Sequence, residues 1–280
     1  MVLERFGLDG KVAIVTGGGT NLGKAMCHAL ARAGADLVVA ARSPEPLAET
    51  VREVTALGRA AIAVPTDVTD SAQVARLVDE TLRTFGKIDV LICNAGVARG
   101  IEASPRDRVP RKPVPIWELT DEMWRTAVDV NLTGTFFCCR AVARHMLERG
   151  EGKIINMASL AGIRAAPGAF TYCSSKAGVI MLTKTLAVTW ARHGICVNAI
   201  APGLFASREV DPAFLEKQAA FLPLGRCGEP RELGPLAVFL ASSASDYVSG
   251  ECFIVDGARS AAYAPVGYAP PWAVEPGGLT

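Results

Sequence analysis

Two side chains with complementary acid-base chemistry, Tyr172 and Lys176, stand four residues apart in the sequence. In a helix this spacing places both on one face and within reach of each other. A neighbouring ammonium lowers the pKa of a phenol, which a tyrosine needs in order to exchange a proton with an alcohol or ketone near neutral pH. Ser159 directly follows a predicted strand, at the edge where open α/β sheets bind ligands. The three residues predict a site for proton exchange.

A glycine-rich turn between the first predicted strand and the first predicted helix is suited to hold a phosphate. The segment reads Thr-Gly-Gly-Gly-Thr-Asn-Leu-Gly over residues 16–23. Backbone N–H groups of such a turn and the N-terminus of the next helix attract a pyrophosphate, and glycines let the ligand approach closely. Asn21 stands where glycine is expected, but asparagine enters the left-handed region at modest cost. The predicted cofactor contacts here are Gly17, Gly19, Thr20, Asn21, Leu22 and Gly23.

The end of the second predicted strand bears on the choice of cofactor. An acidic side chain there would bind the 2′-hydroxyl of the adenosine ribose, whereas arginine suits a 2′-phosphate. The strand ends in Arg42 and Ser43, and a guanidinium forms charge-assisted bonds to phosphate and stacks on adenine. NADP(H) is therefore favoured. NAD(H) remains an alternative, because an arginine after a strand is also commonly a solvated surface residue.

Strands and helices alternate along the chain, and these elements must position the residues described above. Short β-branched runs predict seven strands, at residues 11–16, 37–41, 60–64, 89–93, 153–157, 195–200 and 251–255. Amphipathic stretches predict helices at residues 22–33, 47–57, 71–85, from 120 onward, 172–192, 211–221 and 231–240. Such alternation requires parallel strands joined by helical crossovers. The predicted fold is a single doubly wound α/β (Rossmann) domain, with a seven-stranded parallel sheet and helices on both faces.

Composition excludes several classes of protein. Half of the 280 residues are hydrophobic and a fifth are charged, which excludes an intrinsically disordered chain. A net charge of +1 gives no overall field for nucleic acid or an anionic membrane, and no apolar run is long enough for a membrane span. Eight cysteines are too sparse for a disulfide scaffold, and the three histidines lack partners at metal-ligand spacing. We therefore predict a cytoplasmic protein with no catalytic metal.

Two segments interrupt the alternation. Residues 99–116 are rich in proline and basic residues, and residues 261–280 contain four prolines and three aromatics. We predict that the first is an insertion and the second a C-terminal extension, which follows a dinucleotide-binding and catalytic domain of residues 1–260. The basic insertion could bind a phosphorylated carrier, although a solvated loop is the commoner outcome. The aromatic rings favour docking of the extension over a disordered terminus.

Together these motifs resemble those of the short-chain dehydrogenase/reductase family, over residues 8–259. The matching segments are residues 16–23, Asp67-Val68, Asn94-Ala95-Gly96, Asn131, Ser159, 172–176, 198–203 and 255–257. The resemblance implies an oxidoreductase in which Tyr172 acts as general acid/base and Ser159 hydrogen-bonds the substrate oxygen. Lys176 would lower the pKa of Tyr172 and bind the nicotinamide ribose.

The resemblance also implies roles for other residues. Asn131 would support a water in the proton relay. The further cofactor contacts that it implies are Asp67 and Val68 at adenine, Asn94, Ala95 and Gly96 at the central strand, and Pro202, Gly203 and Leu204 at nicotinamide. A homo-oligomer, either a tetramer or a dimer, is implied, with the helices that carry Asn131 and Tyr172 packed against partner copies.

The substrate pocket is predicted from the residues that follow Ser159 and the sixth strand. Ile163, Phe170 and Phe205 are apolar and favour a hydrophobic ketone, a hydroxy compound or a 3-oxoacyl thioester. Arg164 could bind a charged substrate tail, although an arginine that faces solvent is equally common. A protein of this fold could also sense nucleotides without catalysis, but the intact Tyr172 and Lys176 favour an enzyme.

Overall fold

A computed structural model describes residues 1–97, 115–207 and 211–262 of the chain. Most of the predicted insertion at 99–116 and of the predicted extension at 261–280 lies outside these residues. The described residues include seven strands: β1 (Val12–Thr16), β2 (Asp36–Ala41), β3 (Ala61–Pro65), β4 (Val90–Cys93), β5 (Gly152–Met157), β6 (Ile195–Pro202) and β7 (Cys252–Val255). All pair in parallel, in the order β3-β2-β1-β4-β5-β6-β7. The predicted doubly wound sheet is confirmed.

The helices that connect the strands are also close to their predicted positions. They are α1 (Asn21–Arg32), α2 (Pro44–Ala56), α3 (Ser71–Phe85), α4 (Asp121–Val128), α5 (Gly134–Arg149), α6 (Phe170–Trp190), α7 (Pro212–Ala219) and α8 (Gly234–Ala241). The helix predicted from residue 120 onward is not regular, because a π-helical turn, Asp129–Thr133, separates α4 from α5. The helix predicted at 231–240 starts as a 3₁₀ turn, Pro230–Leu233, before α8.

Side chains adjacent to the helices fix several of their ends. The Asp70 carboxylate accepts hydrogen bonds from Ala72 N and Gln73 N at the start of α3, and Gly86 ends that helix with a φ of 73°. At the start of α4, the Thr120 hydroxyl accepts a hydrogen bond from Met123 N. These caps satisfy backbone groups that have no partner within the helix.

The core consists of two layers, one on each face of the sheet. Successive side chains of a strand point to opposite faces, so Val15 packs in the same cluster as Met26 whereas Ile14 packs with Leu77 and Met146. All five side chains are buried. Burial on both faces explains why the central strands are almost continuously apolar.

The order of the strands places a crevice at the carboxyl end of β1. Thr16, the last residue of β1, pairs with Ala40 in β2 on one side and with Cys93 in β4 on the other. The chain leaves β2 and β4 toward opposite halves of the sheet, which makes this edge a topological switch point, where open α/β sheets bind ligands.

A buried carboxylate, Asp89, holds the opposite edge of the sheet. It is 4% exposed and accepts hydrogen bonds from Val12 N at 2.8 Å and from the Arg149 guanidinium at 2.9 Å. The ammonium groups of Lys87 and Lys11 lie 3.4 and 3.7 Å away. Burial opposes ionisation of the carboxyl, but the hydrogen bonds and the cations outweigh burial and hold its pKa below the usual value.

Candidate active site

Hydrogen bonds join the glycine-rich turn to the end of β4. The Thr16 hydroxyl accepts from Asn94 N at 3.0 Å and from Ala95 N at 3.1 Å. The Asn94 side chain donates to the carbonyl oxygens of Thr16 and Gly17, both at 3.1 Å. Asn94 and Thr16 therefore connect the carboxyl ends of β1 and β4, and the contact of Asn94 with the cofactor stays a prediction.

The conformation of the turn explains its unusual residues. Asn21 has a φ of 46°, so the expectation that it adopts the left-handed conformation is confirmed. Gly17 has a φ of 64°, and a Cβ there would lie 2.8 Å from the Asn94 amide nitrogen. A Cβ on Gly23 would overlap the Gly17 carbonyl oxygen. These two glycines are thus required by packing within the turn itself, and not solely by the approach of a ligand.

The N-terminus of α1 fits the pyrophosphate of a dinucleotide. Thr20, its N-cap residue, makes no side-chain hydrogen bond to the helix. The first N–H groups of α1 therefore have no side-chain cap that a phosphate would need to displace. Leu22, partly buried, packs against the core below the turn.

The residues predicted to bind the adenosine lie beside this turn in the sheet order. Arg42 and Ser43 follow β2 and are exposed, and Arg42 makes no hydrogen bond or ion pair within the described part of the chain. After β3, Asp67 accepts hydrogen bonds from the backbone and hydroxyl of Thr69, at 2.9 and 2.7 Å. Val68 is buried, and a Cβ on Gly134 would lie 2.7 Å from its side chain.

Lys176 lies buried behind the candidate acid-base residue. Its side chain donates a hydrogen bond of 2.7 Å to the Met157 carbonyl at the end of β5, and the residue is 5% exposed. Burial lowers its pKa to about 8. The ammonium lies 5.9 Å from the centre of the half-buried Tyr172 ring, as the four-residue spacing on α6 predicts. The Ser159 hydroxyl accepts from Ala161 N at 3.1 Å, which leaves its proton available to another acceptor.

Asn131 occupies the π-helical turn and is fully buried. Its side-chain oxygen accepts from Val97 N at 2.9 Å, and its nitrogen donates to Val97 O at 3.3 Å and to the Ser175 hydroxyl at 3.1 Å. A Cβ on Gly96 would lie 3.0 Å from the Asn131 oxygen and 3.5 Å from the Lys176 ammonium, so both groups lie near Gly96. The side chain of Asn131 thus binds protein groups, and its support of a relay water stays a prediction.

The predicted nicotinamide and substrate residues fall into two groups. Ile163, Arg164 and Phe170 are exposed and lie on the segment from Ser159 to the start of α6. Pro202 ends β6, and Gly203 N then donates to the Val255 carbonyl at 2.9 Å. Leu204 and Phe205 line a cavity that has neither Ser159 nor Tyr172 in its wall. The cavity is lined by Leu204, Phe205, Leu222, Leu224, Arg226, Gly228, Glu232, Val255, Asp256 and Gly257.

Two residues with a place in this network were not assigned roles from the sequence. Thr16 and Ser175 belong to the motifs quoted above, but their types alone do not indicate which backbone groups they bind.

Within the described ranges, no cluster of three or more His, Cys, Asp or Glu side chains is placed to hold a metal. No helix in those same ranges has the length and apolar character needed to cross a membrane.

Comparison with known proteins agrees with this arrangement. The family model of short chain dehydrogenases matches residues 11–217. The chain is 39% identical over 264 residues to 2-dehydro-3-deoxy-D-gluconate 5-dehydrogenase of Escherichia coli (strain K12), covering 92% of this chain and 98% of that protein. It is 39% identical over 252 residues to 3-oxoacyl-[acyl-carrier-protein] reductase of Synechocystis sp., covering 89% and 97%.

A solved structure with the same architecture is a gluconate 5-dehydrogenase from Burkholderia cenocepacia J2315 in complex with NADP and tartrate. It is 38% identical, with a TM-score of 0.83, over 94% of this chain and all of that chain. With the family model and the relatives above, this match establishes the family. The chain therefore belongs to the short-chain dehydrogenases/reductases, NAD(P)-dependent oxidoreductases that act on CH–OH and C=O groups.

Proposed function

We propose that this protein transfers a hydride between NADP(H) and a carbonyl or secondary-alcohol substrate. The observation that carries the proposal is the convergence of Tyr172, Lys176 and Asn131 beside the loop that also braces the glycine-rich turn. The glycine-rich turn and the acid-base groups thus lie at the same edge of the sheet. Such fixed geometry is what acid-base catalysis coupled to a bound cofactor requires.

In this proposal the side chains of the protein transfer the proton of the reaction. Bound nicotinamide would supply or accept the hydride. In the direction of reduction, the Tyr172 hydroxyl gives its proton to the substrate oxygen, which the Ser159 hydroxyl holds by a hydrogen bond. The Lys176 ammonium stabilises the negative charge left on the Tyr172 oxygen, and its burial strengthens that interaction because little water screens it.

We assign the preference for NADP(H) to Arg42. Arg42 is exposed and directly follows β2, which pairs with β1, the strand that leads into the glycine-rich turn. The 2′-phosphate of NADP(H) would give the Arg42 guanidinium a partner, and NAD(H) offers none. The complex of the Burkholderia relative with NADP supports the assignment. The alternative, an enzyme specific for NAD(H), predicts that Arg42→Ala changes the affinities for NADPH and NADH equally.

Two classes of substrate are compatible with the segment that follows Ser159. Ile163 and Phe170 expose 44% and 38% of their surface and favour a hydrophobic ketone, a hydroxy compound or a 3-oxoacyl thioester. Arg164 favours a hydroxy acid, because its guanidinium suits a carboxylate, and two of the relatives described above are named for gluconate derivatives. A panel of ketones, alcohols and sugar acids, assayed with both cofactors, separates the two classes.

Replacement of Tyr172 by phenylalanine tests the reaction. With the best substrate of the panel, Tyr172→Phe should lower kcat by at least about 100-fold, while the Kd for NADPH stays unchanged. Tyr247→Phe is the matched control, because Tyr247 is fully exposed. Full activity of Tyr172→Phe would refute the proposal, and a wild-type protein that binds NADPH but turns over no substrate would favour a nucleotide sensor instead.

We also propose a homo-oligomer built on α4, α5 and α6. These helices expose large apolar side chains, with Trp124 at 43%, Phe136 at 41%, Met181 at 62% and Val188 at 83% exposure. Exposed apolar side chains on neighbouring helices are typical of an interface between subunits.

A further inference from the structure

We propose that Ser175 is a positioning residue that ties Asn131 to the helical turn carrying Tyr172 and Lys176. The proposal rests on the proposed function, because it concerns how the acid-base groups are held for that reaction. Ser175 precedes Lys176 in the chain and is 1% exposed, so it is closed off from any ligand. Its effect on the reaction therefore has to pass through other side chains.

The Ser175 hydroxyl makes two hydrogen bonds within the site. The Ser175 Oγ accepts a hydrogen bond from the Asn131 side-chain nitrogen at 3.1 Å and donates one to the Tyr172 carbonyl at 2.9 Å. A serine hydroxyl has one proton and two lone pairs, so both bonds form together. Ser175 thereby forms a direct hydrogen-bonded link between the π-helical turn and the first turns of α6.

The link matters because Ser175 supplies one of the three hydrogen bonds that the Asn131 side chain makes within the described residues. Its remaining side-chain bonds go to Val97, of which the bond to Val97 O is long at 3.3 Å. Loss of the Ser175 hydroxyl leaves one N–H of a fully buried amide without its partner, at a cost of about 1–3 kcal/mol unless the side chain moves. Such movement would alter the contacts at Gly96, where a Cβ would lie 3.0 Å from the Asn131 oxygen and 3.5 Å from the Lys176 ammonium.

The test compares two neighbouring serines on α6. Ser175→Ala should lower kcat by about ten-fold while KM for the substrate and the Kd for NADPH stay within about two-fold, because Ser175 touches no binding surface. Ser174→Ala is the matched control, since Ser174 is exposed, and it should behave as wild type. Ser175→Thr retains the hydroxyl and should restore most of the lost kcat. Thermal unfolding of each variant checks that the fold is intact.

The outcomes distinguish this inference from the proposed function. If Ser175→Ala keeps the wild-type kcat while Tyr172→Phe is inactive, the inference is wrong and the proposed function stands. If Ser175→Ala lowers kcat and raises KM and Kd in proportion, with no recovery in a folded Ser175→Thr, the residue serves packing alone and the inference is overturned. If Tyr172→Phe retains full activity, both proposals fail.

Discussion

The buried ammonium of Lys176 should make the stability of this protein depend on pH in an uncommon direction. In the unfolded chain the side chain titrates at its ordinary pKa of 10.5, whereas burial lowers the pKa in the folded protein to about 8. Below pH 8 both states are protonated, and the full cost of burying the charge is present. Between the two pKa values the folded protein loses the proton while the unfolded chain keeps it. Stability therefore rises with pH in this window.

The difference between the two pKa values gives the size of the effect. Proton linkage predicts that the Lys176 contribution raises the free energy of unfolding by about 2 kcal/mol between pH 7 and pH 9.5. Lys176→Met removes the titrating group and keeps most of the side-chain volume. The variant also loses the hydrogen bond to the Met157 carbonyl, worth about 1 kcal/mol, which the neutral amine of Lys176 can still donate at high pH.

Urea unfolding of wild type and variant at several pH values measures this contribution. Other groups titrate in the same range, so the informative quantity is the difference in free energy of unfolding between the two proteins. This difference should shift by about 2 kcal/mol in favour of wild type as the pH rises. Lys184→Met, at an exposed position on the same helix, is the control and should show no such shift. A constant difference for Lys176→Met would refute the reasoning.

Three further predictions follow from other parts of the molecule. Arg42→Ala should raise the Kd for NADPH by about ten-fold and the Kd for NADH by less than about two-fold, and equal losses in fluorescence titrations would contradict the role of Arg42. Asp89→Asn should lower the free energy of unfolding near pH 7 by about 3 kcal/mol, because it removes the buried negative charge that pairs with Lys11, Lys87 and Arg149. Because folding lowers the pKa of Asp89, its carboxylate stabilises the folded protein at pH values above the ordinary carboxyl pKa, and this stabilisation is lost in acid. The urea unfolding curves of wild type and variant should therefore converge as the pH falls. Val188→Glu should dissociate the oligomer in sedimentation velocity, and an unchanged sedimentation coefficient would exclude α6 from the interface.

The fold followed from the sequence because its signals are local. Each predicted strand is a short apolar run, and the observed strands end within two residues of the predicted positions. The left-handed conformation of Asn21 was likewise predictable, since few residue types adopt it and the turn requires it. In these cases the backbone preference and the hydrophobic pattern favour the same structure.

Other features depended on contacts between distant parts of the chain. The π-helical turn at Asn131 has no local sequence signal, because the turn inserts a residue without glycine or proline. The environment of Asp89 combines Val12, Lys87 and Arg149, which are separated by up to 137 positions in the sequence. The bonds of Ser175 similarly require α6 to pack against the π-helical turn. The sequence shows that these side chains are polar, but their hydrogen-bond partners can be identified only from the tertiary structure.

The hydrogen bonds of the site form a continuous series from the cofactor turn to the acid-base residues. The Asn94 side chain donates to the Gly17 carbonyl, and the chain then runs from Asn94 to Val97. Val97 N donates to Asn131. Asn131 donates to the Ser175 hydroxyl, which donates to the Tyr172 carbonyl. Every link lies at the carboxyl ends of β1, β4 and β5 or on helices packed against them. In the proposed function, one connected set of buried and half-buried groups would therefore position both a phosphate at the turn and the proton of Tyr172. Such preorganisation spares the reaction the cost of aligning the groups anew at each turnover.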